Sequence, residues 1–246
     1  MLNQFKNKPF RSALLLALPL AISACSDDVR EVEVPVEVIV EVPAPEPVPV
    51  DVSYEITVTN LTKGQPVSPI AAVLHTDDDS IFTVGEVASV ELEQLAESGM
   101  SEGMLSLGMT SASGTGPILP GENETVTITI QDVTDANLSI TAMLGNTNDA
   151  FTGLNALDLS TLEVGDTWSG VGRAYDAGTE VNSESAETVP GPAAGGEGYN
   201  PNRTDTGYVA MHPGVVSSDD GLSTSVLTVD HKFDNPTVSI VVTRTE

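Results

Sequence analysis

From Tyr54 onward the chain is written in short runs that alternate apolar with polar positions. "YEITVTNL", "IAAVLH", "ETVTITI", "NLSITAML", "STSVLTVD" and "TVSIVVTRT" are rich in Val, Ile and Thr, and Gly, Asn, Asp and Pro separate them. Several alternate strictly, and a period of two puts every second side chain on one face, so these runs predict strands with one buried face. Many short strands without long intervening helices predict an all-β fold, an antiparallel β-sandwich. One segment departs from the period. In "VGEVASVELEQLAESG", Val84 to Gly99, the residues Val87, Val90, Leu92, Leu95 and Ala96 recur at helical spacing and Gly99 supplies a stop, which predicts a single short helix at one end of the sandwich. Two stretches, "TSASGTGPILPGEN" and "ETVPGPAAGGEGYNPNRTDTG", have neither period and read as long polar loops. With 5 Phe, 4 Tyr and 1 Trp, the core has to rest mainly on aliphatic side chains.

The N-terminal quarter follows other rules. Lys6, Lys8 and Arg11 precede the apolar run "ALLLALPLAIS", which is too short to span a bilayer and closes on small residues. Residues 1–24 therefore read as a bacterial export signal. The ending "ISAC" resembles a lipobox, which implies lipidation of Cys25 and a place in the bacterial cell envelope as an outer-membrane lipoprotein, facing the periplasm or the cell exterior. Cys25 is the only cysteine in the chain and has no internal disulfide partner. Within 25–52, residues 29–52 alternate Val with Glu or Pro, and Pro35, Pro43, Pro45, Pro47 and Pro49 remove amide donors. They predict an extended tether, with a β-strand over "EVEVPVEVIVEV" as the alternative. The sandwich domain then covers 53–246.

Charge narrows the partners. The chain has 36 acidic and 9 basic residues, a formal net charge of -27 over 246 residues. Removing 1–24 takes three bases and no acids and moves the charge to about -30. Nucleic acid is excluded as an expected partner, because phosphate binding needs the Lys and Arg this chain lacks. Such a balance suits solubility in salty water, where repulsion is screened.

Catalytic patterns are sparse. The one G-x-S-x-G pattern, "GMSEG" at Gly99 to Gly103, follows a predicted helix rather than a strand and so makes no nucleophile elbow, and there is no S-x-x-K and no thiol besides Cys25. His75, His212 and His231 lack zinc-site spacing. Pairs of carboxylates suited to glycoside hydrolysis arise by chance among 36 acids, so a carbohydrate-active hydrolase using acidic loop residues stands only as the alternative. Calcium is better served, since a hard cation takes carboxylate and carbonyl oxygens from acidic loops at the ends of β-sandwiches. Three segments offer them. "HTDDDS" carries Asp77, Asp78 and Asp79 but places Ile81 where an EF-hand loop needs an oxygen; "GNTNDAF" carries Asn146, Asn148 and Asp149; "YDAGTEVN" carries Asp176 and Glu180 around Gly178.

Taken in order, "SPIAAVLHTDDDSIFTVGEVASVELEQLAESG", "NTNDAFTGLNALDL", "YDAGTEVN" and "NPTVSIVVTR" resemble the spondin N-terminal domain family, whose animal members are extracellular matrix proteins and whose bacterial members are secreted. The resemblance implies an antiparallel sandwich similar to C2-type domains, with Ca2+ held in loops at one end. It implies Asp149, Asp176 and Glu180 as ligands: Asp149 matches the Asp of the family's P-D-W-F block, Asp176 the first acid of its D-A-G-T-D block, and Glu180 stands where that block ends in Asp. The Trp and the cysteines of the animal domains are missing. The function implied is non-catalytic: adhesion, or binding of an extracellular protein, glycan or lipid-surface ligand.

Overall fold

The computed structural model describes residues 48–76, 80–205 and 207–246, and the backbone of 14–20 and 34–40. Cys25 and Asp77–Asp79 lie outside the described residues. The chain divides into two compact units, residues 1–48 and 49–246. In the first, β1 (Leu14–Leu20) and β2 (Val34–Val40) pair antiparallel, with Ala17 opposite Glu37. Residues 34–40 thus take the strand alternative rather than polyproline geometry. The physical reason is available in the pattern itself: β-branched residues at alternate positions suit a ladder, and Pro35 sits next to the end of this one.

The second unit holds a nine-stranded antiparallel sheet made of β3 (Asp51–Asn60), β4 (Ala71–His75), β5 (Thr110–Ser113), β6 (Asn123–Gln131), β7 (Asn137–Met143), β8 (Ala150–Asp158), β9 (Thr167–Asp176), the two-residue β10 (Ala210–Met211) and β11 (Val238–Arg244). The spatial order is β5-β4-β7-β8-β9-β11-β3-β6, with β10 attached to β9. Every pairing in it is antiparallel. The sheet curves until its edge strands β5 and β6 come alongside each other, so one nearly closed sheet provides both walls around the core. Just past β5, the Thr115 amide and hydroxyl donate to the Glu124 carboxylate on β6 at 2.6 and 2.7 Å.

The alternation seen in the sequence is what fills this enclosure. On β6, Val126, Ile128 and Ile130 point inward and Thr125, Thr127 and Thr129 outward; on β11, Val238, Ile240 and Val242 point inward. They pack with Tyr54, Ile56, Leu74, Leu138, Ile140 and Leu144 in one largely aliphatic core. β4 is buried along its whole length, because a second cluster lies on its other face. That cluster is formed by Leu92, Leu95 and Ala96 of α1 (Val90–Ser98), Met104 of α2 (Glu102–Leu105), and Phe82, Phe151, Ala177 and Val209.

The helix is shorter than its period predicts, beginning at Val90 rather than Val84. The Ser89 hydroxyl accepts from the Leu92 amide at 3.2 Å and starts it, while Val84 and Val87 face solvent and the Gly85 amide bonds to the Val209 carbonyl instead. Gly99 ends the helix in the left-handed region, φ 73°. The strand predicted over "STSVLTVD" is absent: these residues form turns and end in a 3-10 turn, Val229–His231. Their backbone bonds go to loops, Ser218 to Leu227 and Val226 to Glu184, and Leu227 packs in a satellite cluster with Val189 and Val215. Both predicted loops are more ordered than their composition suggests. The first contains β5 and the buried Ile118, whose backbone bridges Val67.

Candidate functional site

Strands β8 and β9 pair with Ala150 opposite Asp176, so the register alone brings the "NDAF" and "YDAGTE" blocks to the same end of the sheet. Asp149 sits immediately before β8 and Asp176 is the last residue of β9. The same two strands carry Phe151 and Tyr175, which form an aromatic cluster with Phe82, ring centroids 5.0 to 5.2 Å apart.

Asp149 is fully buried. Its Oδ2 accepts three hydrogen bonds, from the Thr179 amide at 2.8 Å, the Thr179 hydroxyl at 3.2 Å and the Glu180 amide at 3.0 Å. Its Oδ1 accepts none among the described residues. Burial, and after it the neighbouring charge of Asp176, pushes the Asp149 carboxyl up to about 7, against the opposing pull of the three donors. Half-buried Glu180 is also raised to about 7, mainly by burial and further by Glu97, Asp149 and Glu197, while the Asn148 side-chain amide, 3.4 Å from its Oε2, opposes the shift.

Asp176 shapes the loop that carries Thr179 and Glu180. Its Oδ1 accepts from the Gly178 amide at 2.8 Å and its Oδ2 from the Asn182 side chain at 2.6 Å. Gly178 is required here twice over. Its φ is 68°, and a Cβ would lie 2.7 Å from the Tyr208 amide nitrogen. The Asn candidates act as struts: Asn148 donates to the Thr188 hydroxyl at 2.7 Å and accepts from the Glu184 amide, and Asn146 ties Gly64, Gln65 and Ala193 together.

The structure thus brings Asp149, Asp176 and Glu180 to one end of the fold. Among the described residues, no group of three or more His, Cys, Asp or Glu side chains is arranged to hold a metal ion. Among the described residues the buried Oδ1 of Asp149 has no donor, and the charge of Asp176 bears on the same carboxyl.

Several participants were not legible as site residues. Thr179 lies inside the "DAGTE" block, yet nothing in its type distinguishes it from the other threonines. Glu93 and Glu97 are one helical turn apart on α1 and both are buried. Glu97 accepts from the Asn200 amide at 2.9 Å, and burial raises its pKa. Arg203 donates to Glu93 and to the Ala88 carbonyl, both at 2.8 Å. The second predicted loop is therefore not a free excursion: it is pinned across α1 and onto the acidic turn, where the Thr179 carbonyl accepts from Thr204 and Asp205. The signal for it was the arginine itself, one of so few bases in an acidic chain. His212 is buried beside Asp176, and burial lowers its pKa; because its Nδ1 accepts from the Gly214 amide, that nitrogen carries no proton.

Neither a comparison with known protein families nor one with curated proteins returns a match for this chain.

Proposed function

We propose that the second unit binds a divalent cation, Ca2+ by preference, at the end of the sheet where Asp149, Asp176 and Glu180 meet, and that the protein is a non-catalytic, lipid-anchored envelope protein that uses this domain to bind an extracellular partner. The observation that carries the cation is the Asp149 carboxylate, fully buried with one oxygen clamping the acidic turn and the other without a donor among the described residues. A buried carboxylate in that state either holds a proton or meets a positive charge. Asp149 would contribute Oδ1, with Asp176 and Glu180 the nearest acids to complete the set. When bound, the ion neutralises their mutual repulsion and stabilises the folded chain by mass action. The extracellular role and the anchor at Cys25 rest on the N-terminal signal and on the resemblance to spondin N-terminal domains.

Isothermal titration of the full chain with CaCl2, in wild type and in Asp176→Ala, tests the cation. Saturable heat in wild type, weakened at least tenfold in the variant, is expected. No heat from a folded wild-type chain removes the ion from this account.

Two carboxyls near 7 also fit general acid chemistry. The hydrolase reading is nonetheless weaker, since Asp149 is sealed from solvent and its Oδ2 is engaged by three donors. Glycan turnover abolished by Asp149→Asn with the fold intact would reverse that ranking.

A further inference from the structure

A cleft of about 550 Å3 opens beside the start of α1, with Ile81, Ser89, Glu91, Leu107 and Met109 among its lining residues. Polar side chains, His75, Thr76 and Ser80 among them, share its lining with exposed apolar ones. Leu107 is 43% exposed and Met109 60%, while Val87 and Val90, on either side of the capping segment, are 67% and 51% exposed. Acidic side chains border this apolar surface. Glu91 lines the cleft and lies against α2, where a Cβ on Gly103 would meet its Cγ at 2.9 Å; Glu86, before α1, and Glu102, the first residue of α2, are exposed. The basic side chain that reaches this end, Arg203, is turned inward to Glu93 and the Ala88 carbonyl. Clustered exposed apolar side chains around a concavity are the usual mark of a recognition surface.

We infer that this cleft docks a partner protein through a segment that seats an apolar side chain between Leu107 and Met109 and sets a Lys or Arg against Glu91. Charge selects this occupant. A second copy would bring 36 acids and only 9 bases to an acid-bordered surface, and like charges there oppose association. An anionic lipid surface is disfavoured for the same reason. The inference is independent of the cation site.

The test uses the full chain and a labelled synthetic peptide alternating leucine and lysine, followed by fluorescence anisotropy. The peptide binds, the Leu107→Ser/Met109→Ser double variant binds it about tenfold more weakly, and Glu91→Gln lowers the salt dependence. Val171→Ser, which trims another exposed apolar side chain on β9, leaves binding unchanged. Circular dichroism confirms that each variant is folded. Absence of binding overturns the inference. So does equal binding of a serine/lysine peptide, which would reduce the effect to net charge, or equal weakening by Val171→Ser. Sedimentation showing self-association that the double variant abolishes would also overturn it, by making the occupant a second copy.

Discussion

Thr179 joins three parts of the candidate site. Its amide and hydroxyl donate to Asp149, and its carbonyl receives the amides of Thr204 and Asp205 from the returning loop. What it holds is a carboxyl whose proton affinity is far from ordinary, and the sign of the consequence follows. Asp149 and Glu180 are raised from the usual carboxylate range to about 7, so the folded state keeps protons that the unfolded chain has lost. Stability conferred by those protons is fully present below about pH 4 and is lost as pH rises through about 7. Without divalent cations, thermal melts between pH 5 and 8 should therefore show Tm falling with pH, mainly through buried Asp149, because solvent screening reduces the share of half-exposed Glu180. Asp149→Asn should flatten that slope, raise metal-free stability at pH 8 and abolish any rise in Tm on adding CaCl2. A wild-type Tm that climbs with pH would contradict the assignment. Gly178→Ala should cost about 1–3 kcal/mol, since alanine must take a left-handed conformation and press on the Tyr208 backbone; urea unfolding measures it.

Among the elements, β8 and β9 carry glycines whose loss should differ in kind. A Cβ on Gly153 would lie 2.2 Å from the Ile140 carbonyl oxygen, in the β7–β8 pair next to the register shift between Leu138 and Ile140. Backbone cannot move aside there, so Gly153→Ala should destabilise by about 3 kcal/mol or prevent folding. On Gly170 the three atoms nearest the Cβ would all belong to the ring of Trp168, two residues away on the same face of β9. That ring can swing out, so Gly170→Ala should cost within about 1 kcal/mol and shift the fluorescence of the sole Trp to the red. The loop over 187–207 belongs to this level too. Arg203→Met strands buried Glu93, whose Oε1 already has no partner among the described residues, and it unpins the loop from α1. Limited proteolysis should then cut within 187–207 well before the sheet is digested, while wild type resists at the same dose.

Taken whole, the molecule carries 36 acids against 9 bases. The described Lys63 and Lys232 are already paired with Asp230 and Asp220 on the surface. Monovalent salt screens the remaining repulsion, so Tm should rise between low salt and 0.5 M NaCl, and an absence of that rise would mean that surface charge contributes little to stability. Much of the architecture was legible in the chain itself. Alternation on β3, β6 and β11 predicts strands with one buried face, because a period of two leaves those side chains one apolar direction to face; Gly99 and Gly178 mark turns that only an unsubstituted Cα makes cheaply. Local pattern failed wherever the partner was distant. Strand β9, interrupted by Gly170 and Gly172, exists because β8 and β11 pair with it, whereas "STSVLTVD" has the composition of a strand but no neighbour to complete a ladder. The same division runs through the site. Sequence alone marked Asp149, Asp176 and Glu180 as acids of the right kind. Only the tertiary structure placed Ala150 opposite Asp176, buried Asp149 with one oxygen lacking a donor, and drew Thr179, Glu97 and Arg203 around them, because register, burial and long-range contact are properties of the assembled sheet rather than of any segment.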